Sequence, residues 1–165
     1  FPAQNIYDKA SADIRPHLDA GRNVVTLCEG DPFFYGSFMF LFARLADDYQ
    51  TEIVPGVASM TACAAVAATP LCARNEVLTV IPGPLEEDEL KARLSASGAA
   101  AIMKVGRHLP KLRAVIEDLG LTSRATYIER ATLPTEKRMM LADAPEKAPY
   151  FSMILIAGSD PYATR

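Results

Sequence analysis

Apolar side chains recur along this chain with two spacings, which predict helices and strands. In the first part of the chain, helices are expected at 5–20, 38–45 and the alanine-rich segment 60–68. Short apolar runs predict strands at 23–28 and 51–55, the first buried on both faces of a parallel sheet. Pro16 should kink the first helix or divide it, because proline lacks the N–H that a helix interior uses. Ser37 is the expected cap of the second helix.

The pattern changes near 71–76, where we place a boundary between two domains, 1–72 and 73–165. After it, strands and helices alternate and then give way to consecutive strands, which is typical of a mixed sheet. Strands are predicted at 77–81, 99–105, about 124–131, 136–142 and 150–157, and helices at 86–97 and 109–119. The predicted fold class is α/β, with an incomplete parallel-type sheet in the first domain and a mixed sheet in the second.

The loop after the first predicted strand carries the residues best suited to a binding site. Gly30 lets the backbone turn or approach a ligand closely, Asp31 supplies an acceptor, and Pro32 ends the strand. Ligands of open α/β sheets bind beyond the carboxyl ends of strands, so this loop and the aromatic residues after it predict a pocket rim. An ordinary strand-to-helix turn with its aromatic residues in the core is the alternative.

Composition narrows the function classes. The net charge is −3, the pI is near 5.4 and no basic cluster is present, which makes nucleic acid an unexpected partner. The three cysteines have no CxxC spacing, so they are expected to be reduced core residues of a cytoplasmic protein, and no metal site is expected. No run approaches the ~20 apolar residues of a membrane span. Two isolated histidines and the lack of a serine elbow or phosphate loop disfavour hydrolysis and phosphoryl transfer.

Three motifs resemble the tetrapyrrole methylase family: EGDPFFYGSF at 29–38, VPGVAS at 54–59 and ERATLPTEKR at 129–138. The similarity extends to MKVG at 103–106 and YFSMILI at 150–156. It implies a two-domain methylase, a homodimer, and S-adenosylmethionine as the methyl donor. Members of the family open with a strand and a glycine-rich turn that nothing here matches, so the resemblance is to a member without its opening elements.

The resemblance also assigns binding residues to positions of this chain, with the donor site in the cleft between the two domains. The implied donor contacts are Glu29, Gly30, Asp31, Phe34, Tyr35, Ala58, Ser59, Met103 and Ala131. Many members have glycine in place of Glu29 and of Ala131. Core packing is the alternative role for Met103, because methionine fills irregular gaps adaptably.

Within the family, the FFYGSFMF segment is most similar to members that methylate C-20 of precorrin-2 to give precorrin-3A. Alternatives are another tetrapyrrole methylase, including one that takes the cobalt-loaded substrate, and an inactive donor-binding or dimerisation module. Precorrin-2 carries many carboxylates, which arginine binds with a planar fork of donors. Arg74, Arg107 and Arg130 are therefore the candidate substrate-binding residues, although Arg130 could instead form a local ion pair with Glu129. No residue is identified as the catalytic base.

Overall fold

The computed structural model describes residues 4–158, in which the chain divides into two compact units. Unit 1 runs to Ala58 and unit 2 starts at Ser59. This division falls earlier than the boundary expected after Cys72. The reason is the alanine-rich helix, α3 (Ser59–Ala67), which packs on strands of the second unit and buries Cys63 there.

Unit 1 contains helices α1 (Gln4–Asp19) and α2 (Phe38–Leu45), which pack against each other. Arg44 of α2 binds the Asp8 carboxylate at 2.7 Å and the Gln4 side-chain oxygen at 2.6 Å. The rings of Tyr7 and Phe40 lie 4.9 Å apart between the two helices. Arg15 adds an exposed ion pair with Asp48 at 2.7 Å. The two helices are thus joined by aromatic packing and polar bonds.

Of two local expectations for these helices, the capping role of Ser37 is wrong, and of the two outcomes expected at Pro16 the division of the helix does not occur. α1 continues through Pro16 as one helix, so the division into two shorter helices does not occur. Pro16 lies in the last turn, where few residues remain to be disturbed by its missing hydrogen bond. Ser37 is the residue before α2, but its hydroxyl makes no capping bond and its backbone is already helical.

The strands expected at 23–28 and 51–55 do not form in unit 1. These segments have no assigned strand partner in residues 4–58, and the side chains of Val25 and Leu27 are 80% and 91% exposed. The expectation of a strand buried on both faces is therefore wrong. A strand is stabilised by hydrogen bonds to a neighbouring strand, and apolar residues alone do not supply that neighbour.

Unit 2 is a five-stranded mixed sheet with helices on both faces, as the sequence predicted for this part of the chain. The strand order is β1-β2-β5-β3-β4, with β1 and β2 parallel and the other pairs antiparallel. The strands are β1 (Leu78–Pro82), β2 (Ala99–Met103), β3 (Ala125–Glu129), β4 (Lys137–Met140) and β5 (Ser152–Ile156). Helices α4 (Glu87–Ser95) and α5 (Leu109–Asp118) complete the unit, with short 3-10 helices at Gly106–His108, Thr122–Arg124 and Leu141–Asp143.

Two apolar clusters cover the two faces of this sheet. The larger contains fully buried side chains of α4 and α5, including Leu90 and Leu112, packed with Ile102 and Tyr127 of the sheet. The smaller joins Cys63 of α3 to the opposite sheet face. Successive residues of a strand point to opposite faces, which is why neighbours such as Tyr127 and Ile128 belong to different clusters.

Candidate functional site

In unit 1, the Asp31 carboxylate ties two loops together. One oxygen accepts a hydrogen bond from the Phe33 backbone N–H at 2.9 Å, and the other accepts one from Gly56 N–H at 3.0 Å. The hydrogen bond from Gly56, followed by that from Phe33, lowers the Asp31 pKa from its usual value. Asp31 is therefore an ionised clamp between the loop at 29–36 and the segment at 55–58.

The clamped loops meet through backbone atoms at two glycines. A Cβ on Gly56 would lie 2.1 Å from the Gly30 carbonyl oxygen, a distance that no side chain tolerates. Gly30 itself has φ +80°, in the left-handed region that favours glycine. This arrangement leaves a surface of peptide groups with no side chain at either glycine. Such a surface can bind a ligand through backbone N–H and carbonyl groups.

The three aromatic residues after Pro32 separate into two sets. The Phe33 ring packs on Phe38 and Phe42 of α2, with centroids 5.9 and 5.0 Å away. Phe34 and Tyr35 instead pair edge to face with each other at 5.2 Å, and Tyr35 has a left-handed backbone with φ 54°. Phe33 is thus committed to the helix packing of unit 1. The two residues that the resemblance assigned to the donor form a separate aromatic pair.

An open groove of about 980 Å³ runs through unit 1. Its walls are the extended segments at 23–28 and 50–56 and the apolar side of α2. Of the residues expected to contact the donor, Gly30 borders this groove. The other residues of its wall lie outside the predicted site.

In unit 2, Met103 and Ala131 belong to one apolar cluster. Both pack partly buried against the sheet face that α3 covers, together with Met60, the residue after Ser59. Met103 ends β2 and Ala131 follows β3. Since β2 and β3 are both antiparallel to β5, they run in the same direction, and their carboxyl ends share one edge of the sheet. Three of the predicted donor contacts thus fall on or beside one cluster.

The three candidate arginines are divided between two opposite edges of the sheet in unit 2. Arg107 follows β2 and Arg130 follows β3, so both lie at the edge formed by the carboxyl ends of these strands. Arg74 precedes β1, which runs parallel to β2, and it lies near the opposite edge. A five-residue strand is roughly 16 Å long, so Arg74 and the other two cannot bind one small group.

The sequence suggested for Glu129 only an ion pair with Arg130. In the structure this carboxylate is buried and has two further neighbours, Tyr127 and Lys137. The Glu129 side chain is only 4% exposed, and one carboxylate oxygen accepts a hydrogen bond from the Tyr127 hydroxyl at 2.8 Å. The other oxygen lies 3.4 Å from Arg130 and 3.9 Å from Lys137. Burial, followed by the hydrogen bond to Glu129, raises the Tyr127 pKa. The sequence carried a signal for this group: Tyr127 and Glu129 are two positions apart in a strand, so they share one face, and Arg130 comes next.

Within residues 4–158, no group of three or more histidine, cysteine or acidic side chains is arranged to hold a metal ion. No helix in this described range has the length and apolar character needed to cross a bilayer.

Comparison with known proteins identifies the family. The model of the Tetrapyrrole (Corrin/Porphyrin) Methylases matches residues 2–145. The chain therefore belongs to the tetrapyrrole methylase family, which confirms the resemblance carried by the three sequence motifs.

Individual relatives show the same relationship. The chain is 43% identical over 155 residues to a Sinorhizobium protein named precorrin-2 C(20)-methyltransferase, covering 93% of this chain and 63% of that protein. It is also 43% identical to the cobalamin biosynthesis protein CobIJ of Mycobacterium tuberculosis, covering 94% of this chain and 31% of the relative. Identity to the cobalt-precorrin-2 C(20)-methyltransferase of Salmonella typhimurium is 30%, over 96% of this chain and 68% of the relative. The chain thus spans less than two thirds of the first two relatives.

Solved structures confirm the α/β fold. A cobalt precorrin-4 methyltransferase, CbiF, matches with a TM-score of 0.74 at 26% identity, over 92% of this chain and 70% of that chain. The uroporphyrin-III C-methyl transferase from Thermus thermophilus, complexed with S-adenosyl homocysteine, matches with a TM-score of 0.65 at 23% identity. That match covers 90% of this chain and 72% of the Thermus protein, and it bears on the fold alone.

Proposed function

We propose that this chain acts in an S-adenosylmethionine-dependent C-methyltransferase that methylates C-20 of precorrin-2, giving precorrin-3A in cobalamin biosynthesis. The observation that carries the proposal is the Asp31 clamp, which holds glycine-bearing loops together in a tetrapyrrole methylase. The higher identity to the precorrin-2 enzyme than to the cobalt-precorrin-2 enzyme, 43% against 30%, favours the metal-free substrate.

The residues present fit a donor held through peptide groups. S-adenosylmethionine supplies a methyl group already activated by its sulfonium, so the protein needs chiefly to position donor and acceptor and to exclude water. In unit 1 we assign donor contacts to the 29–31 backbone, the Phe34–Tyr35 pair and Ala58. Gly30 and Gly56 let the two loops meet backbone to backbone, so peptide groups, and no side chains, lie at their contact. The Asp31 side chain acts indirectly, since both its oxygens already bind backbone N–H groups.

In unit 2 we assign donor contacts to Ser59, Met103 and Ala131. Met103 and Ala131 share the apolar cluster beside α3, and a flexible thioether suits contact with a flat, partly apolar group. For the substrate carboxylates we propose Arg107 and Arg130, which follow strands that end at the same sheet edge. Arg74 lies near the other edge and is not included.

The proposal extends to a cytoplasmic homodimer. Its support is the resemblance to the family and the three cysteines, which are all free thiols in the structure. Size-exclusion chromatography with light scattering measures the assembly directly: a mass near 36 kDa, twice the 17.9 kDa of one chain, is expected, and a mass of one chain contradicts it.

Calorimetric titration with S-adenosylhomocysteine, the product of the donor, tests the proposal. Saturable one-to-one binding is expected, with weaker binding by Asp31→Asn and unchanged binding by Asp13→Asn, an exposed carboxylate on α1. Transfer of a labelled methyl group should then be faster to precorrin-2 than to its cobalt complex. Absence of S-adenosylhomocysteine binding would overturn the methyltransferase proposal, while faster transfer to the cobalt complex would reassign the substrate.

A further inference from the structure

A buried carboxylate lies beside a partly exposed arginine at one edge of unit 2. Glu129 is the last residue of β3, and its neighbours across the sheet are Ser152 of β5 and Lys137 of β4. Burying a carboxylate costs several kcal/mol unless hydrogen bonds and opposite charges compensate. Here Tyr127 holds one oxygen, while Arg130 and Lys137 approach the other. The cations that compensate Glu129 are themselves 37% and 61% exposed, so they face both the carboxylate and solvent.

The backbone explains how consecutive residues come to pair. Neighbouring residues in a strand point to opposite faces, so Arg130 could not reach Glu129 if β3 continued. Arg130 instead has φ 48°, and its N–H donates to the Phe151 carbonyl at 2.8 Å. Thr132 is also left-handed, with φ 68°. Such backbone is unfavourable for residues with a side chain, by about 1–3 kcal/mol each, and it concentrates at functional sites. The strained turn brings the guanidinium back toward the buried carboxylate.

We propose that Glu129, held by the Tyr127 hydroxyl, is a positioning residue that aims Arg130 at a carboxylate of the tetrapyrrole substrate. This inference rests on the proposed function and names the residues that prepare its substrate-binding edge. A guanidinium has five N–H donors in a planar fork, and the contact to Glu129 uses one nitrogen. Donors remain for a bidentate bond to a ligand carboxylate. A fixed fork loses less side-chain entropy on binding than a freely rotating one.

Nearby charges set the balance at this edge. Lys137 adds a second cation at 3.9 Å from Glu129. Arg107 follows β2, which runs parallel to β3 with β5 between them, and so lies at the same sheet edge. Glu136 opposes them, but its carboxylate accepts a hydrogen bond from the Thr132 backbone N–H at 2.6 Å and stabilises the turn. Counting these five side chains, three cations face two carboxylates, so the edge keeps a net positive charge suited to an anionic ligand.

The test separates hydrogen bonding from simple charge. Glu129→Leu and Glu129→Gln remove the same negative charge, but only glutamine keeps an acceptor for Arg130. The probe is uroporphyrin III, a stable polycarboxylate tetrapyrrole, followed by fluorescence. Glu129→Leu is expected to weaken binding about tenfold, as for loss of one charge-assisted hydrogen bond. Glu129→Gln is expected to weaken binding less than threefold, because the acceptor for Arg130 is kept. Glu89→Gln, which alters the exposed Glu89–Arg93 pair on α4, is the matched control and should bind as the unchanged chain does.

A double-variant cycle completes the experiment. Arg130→Gln alone should weaken binding about tenfold, and Glu129→Leu should add nothing further in that background. If Glu129→Leu fails to fold, Tyr127→Phe provides the same cycle by removing the hydroxyl that orients Glu129. Tighter binding by both Glu129 variants, additive losses in the cycle, or no binding of uroporphyrin III by the unchanged chain would each overturn the inference. S-adenosylhomocysteine titration of the unchanged chain tests the proposed function separately.

Discussion

The backbone N–H of Gly56 donates to the Asp31 carboxylate at 3.0 Å, although the two residues are 25 positions apart. A second bond from Phe33 occupies the other oxygen. The side chain of Asp31, in the EGDP motif, thus fixes the shape of two loops. Any ligand at these loops meets peptide groups whose position depends on Asp31.

Asp31→Asn should weaken S-adenosylhomocysteine binding roughly three- to tenfold, because a neutral amide makes weaker bonds to the two backbone N–H groups. Asparagine also has only one acceptor oxygen where aspartate has two. Isothermal titration calorimetry measures the change, with Asp13→Asn in the same unit as control. Equal affinity of Asp31→Asn and the unchanged chain would remove Asp31 from the binding machinery.

The clamp should also respond to acid in a defined direction. Hydrogen bonds from Gly56 and Phe33 lower the folded-state pKa of Asp31 below the ordinary 3.8. Its stabilising effect is therefore complete above the unfolded-state pKa and is lost as the pH falls through the lower, folded-state pKa. The Gly56 amide resonance in NMR spectra should titrate with a midpoint below 3.8 and should not show this step in Asp31→Asn. A midpoint above 3.8 would contradict the clamp.

Gly56→Ala should destabilise unit 1 by about 1–3 kcal/mol, since its Cβ would overlap the Gly30 carbonyl and force the loops apart. Binding of S-adenosylhomocysteine should be lost with it. Gly98→Ala is the matched control, because its nearest atom, the Val77 carbonyl oxygen, lies 3.8 Å from the added Cβ. Chemical denaturation of both variants measures the difference, and equal stability would show that the loops can separate without cost.

The three thiols should differ in reactivity. Burial raises the Cys63 pKa to about 11, with a smaller contribution from the Glu136 charge. Cys28 and Cys72 are exposed, so the expectation that all three cysteines are core residues is wrong for these two. Only the thiolate reacts with disulfide reagents, so at pH 8 two thiols should be titrated rapidly and Cys63 only after denaturation. In the Cys63→Ala variant, denaturation should release no further thiol. Three equally fast thiols would show that α3 does not stay packed on its sheet.

The local sequence pattern was sufficient to predict elements whose stabilising contacts lie close together along the chain. The helical periodicity of α2, α4 and α5 and the strand runs of unit 2 correspond to observed elements. Within α4, side chains four residues apart form two ion pairs, with Lys91 3.0 Å from Glu87 and Arg93 2.7 Å from Glu89. Such contacts lie within one or two helical turns, so the sequence alone specifies them.

The strands expected in unit 1 show where that information ends. The runs at 23–28 and 51–55 have strand-like composition, yet several of their valine and leucine side chains are exposed. Strand formation depends on a hydrogen-bonded neighbour, which is often distant in sequence, and residues 4–58 supply none. Composition cannot report whether that neighbour is present.

For the candidate site, the sequence determined which residues are available: the EGDP and VPGVAS motifs, Met103, Ala131 and the three arginines. Only the tertiary structure decided that Asp31 binds Gly56, that Arg74 lies at a different sheet edge from Arg107 and Arg130, and that Glu129 is buried against Tyr127. Motifs and periodicity reflect bonds between near neighbours along the chain. Bonds across a sheet or between loops depend on strand order and register, which are set by the packing of the whole unit.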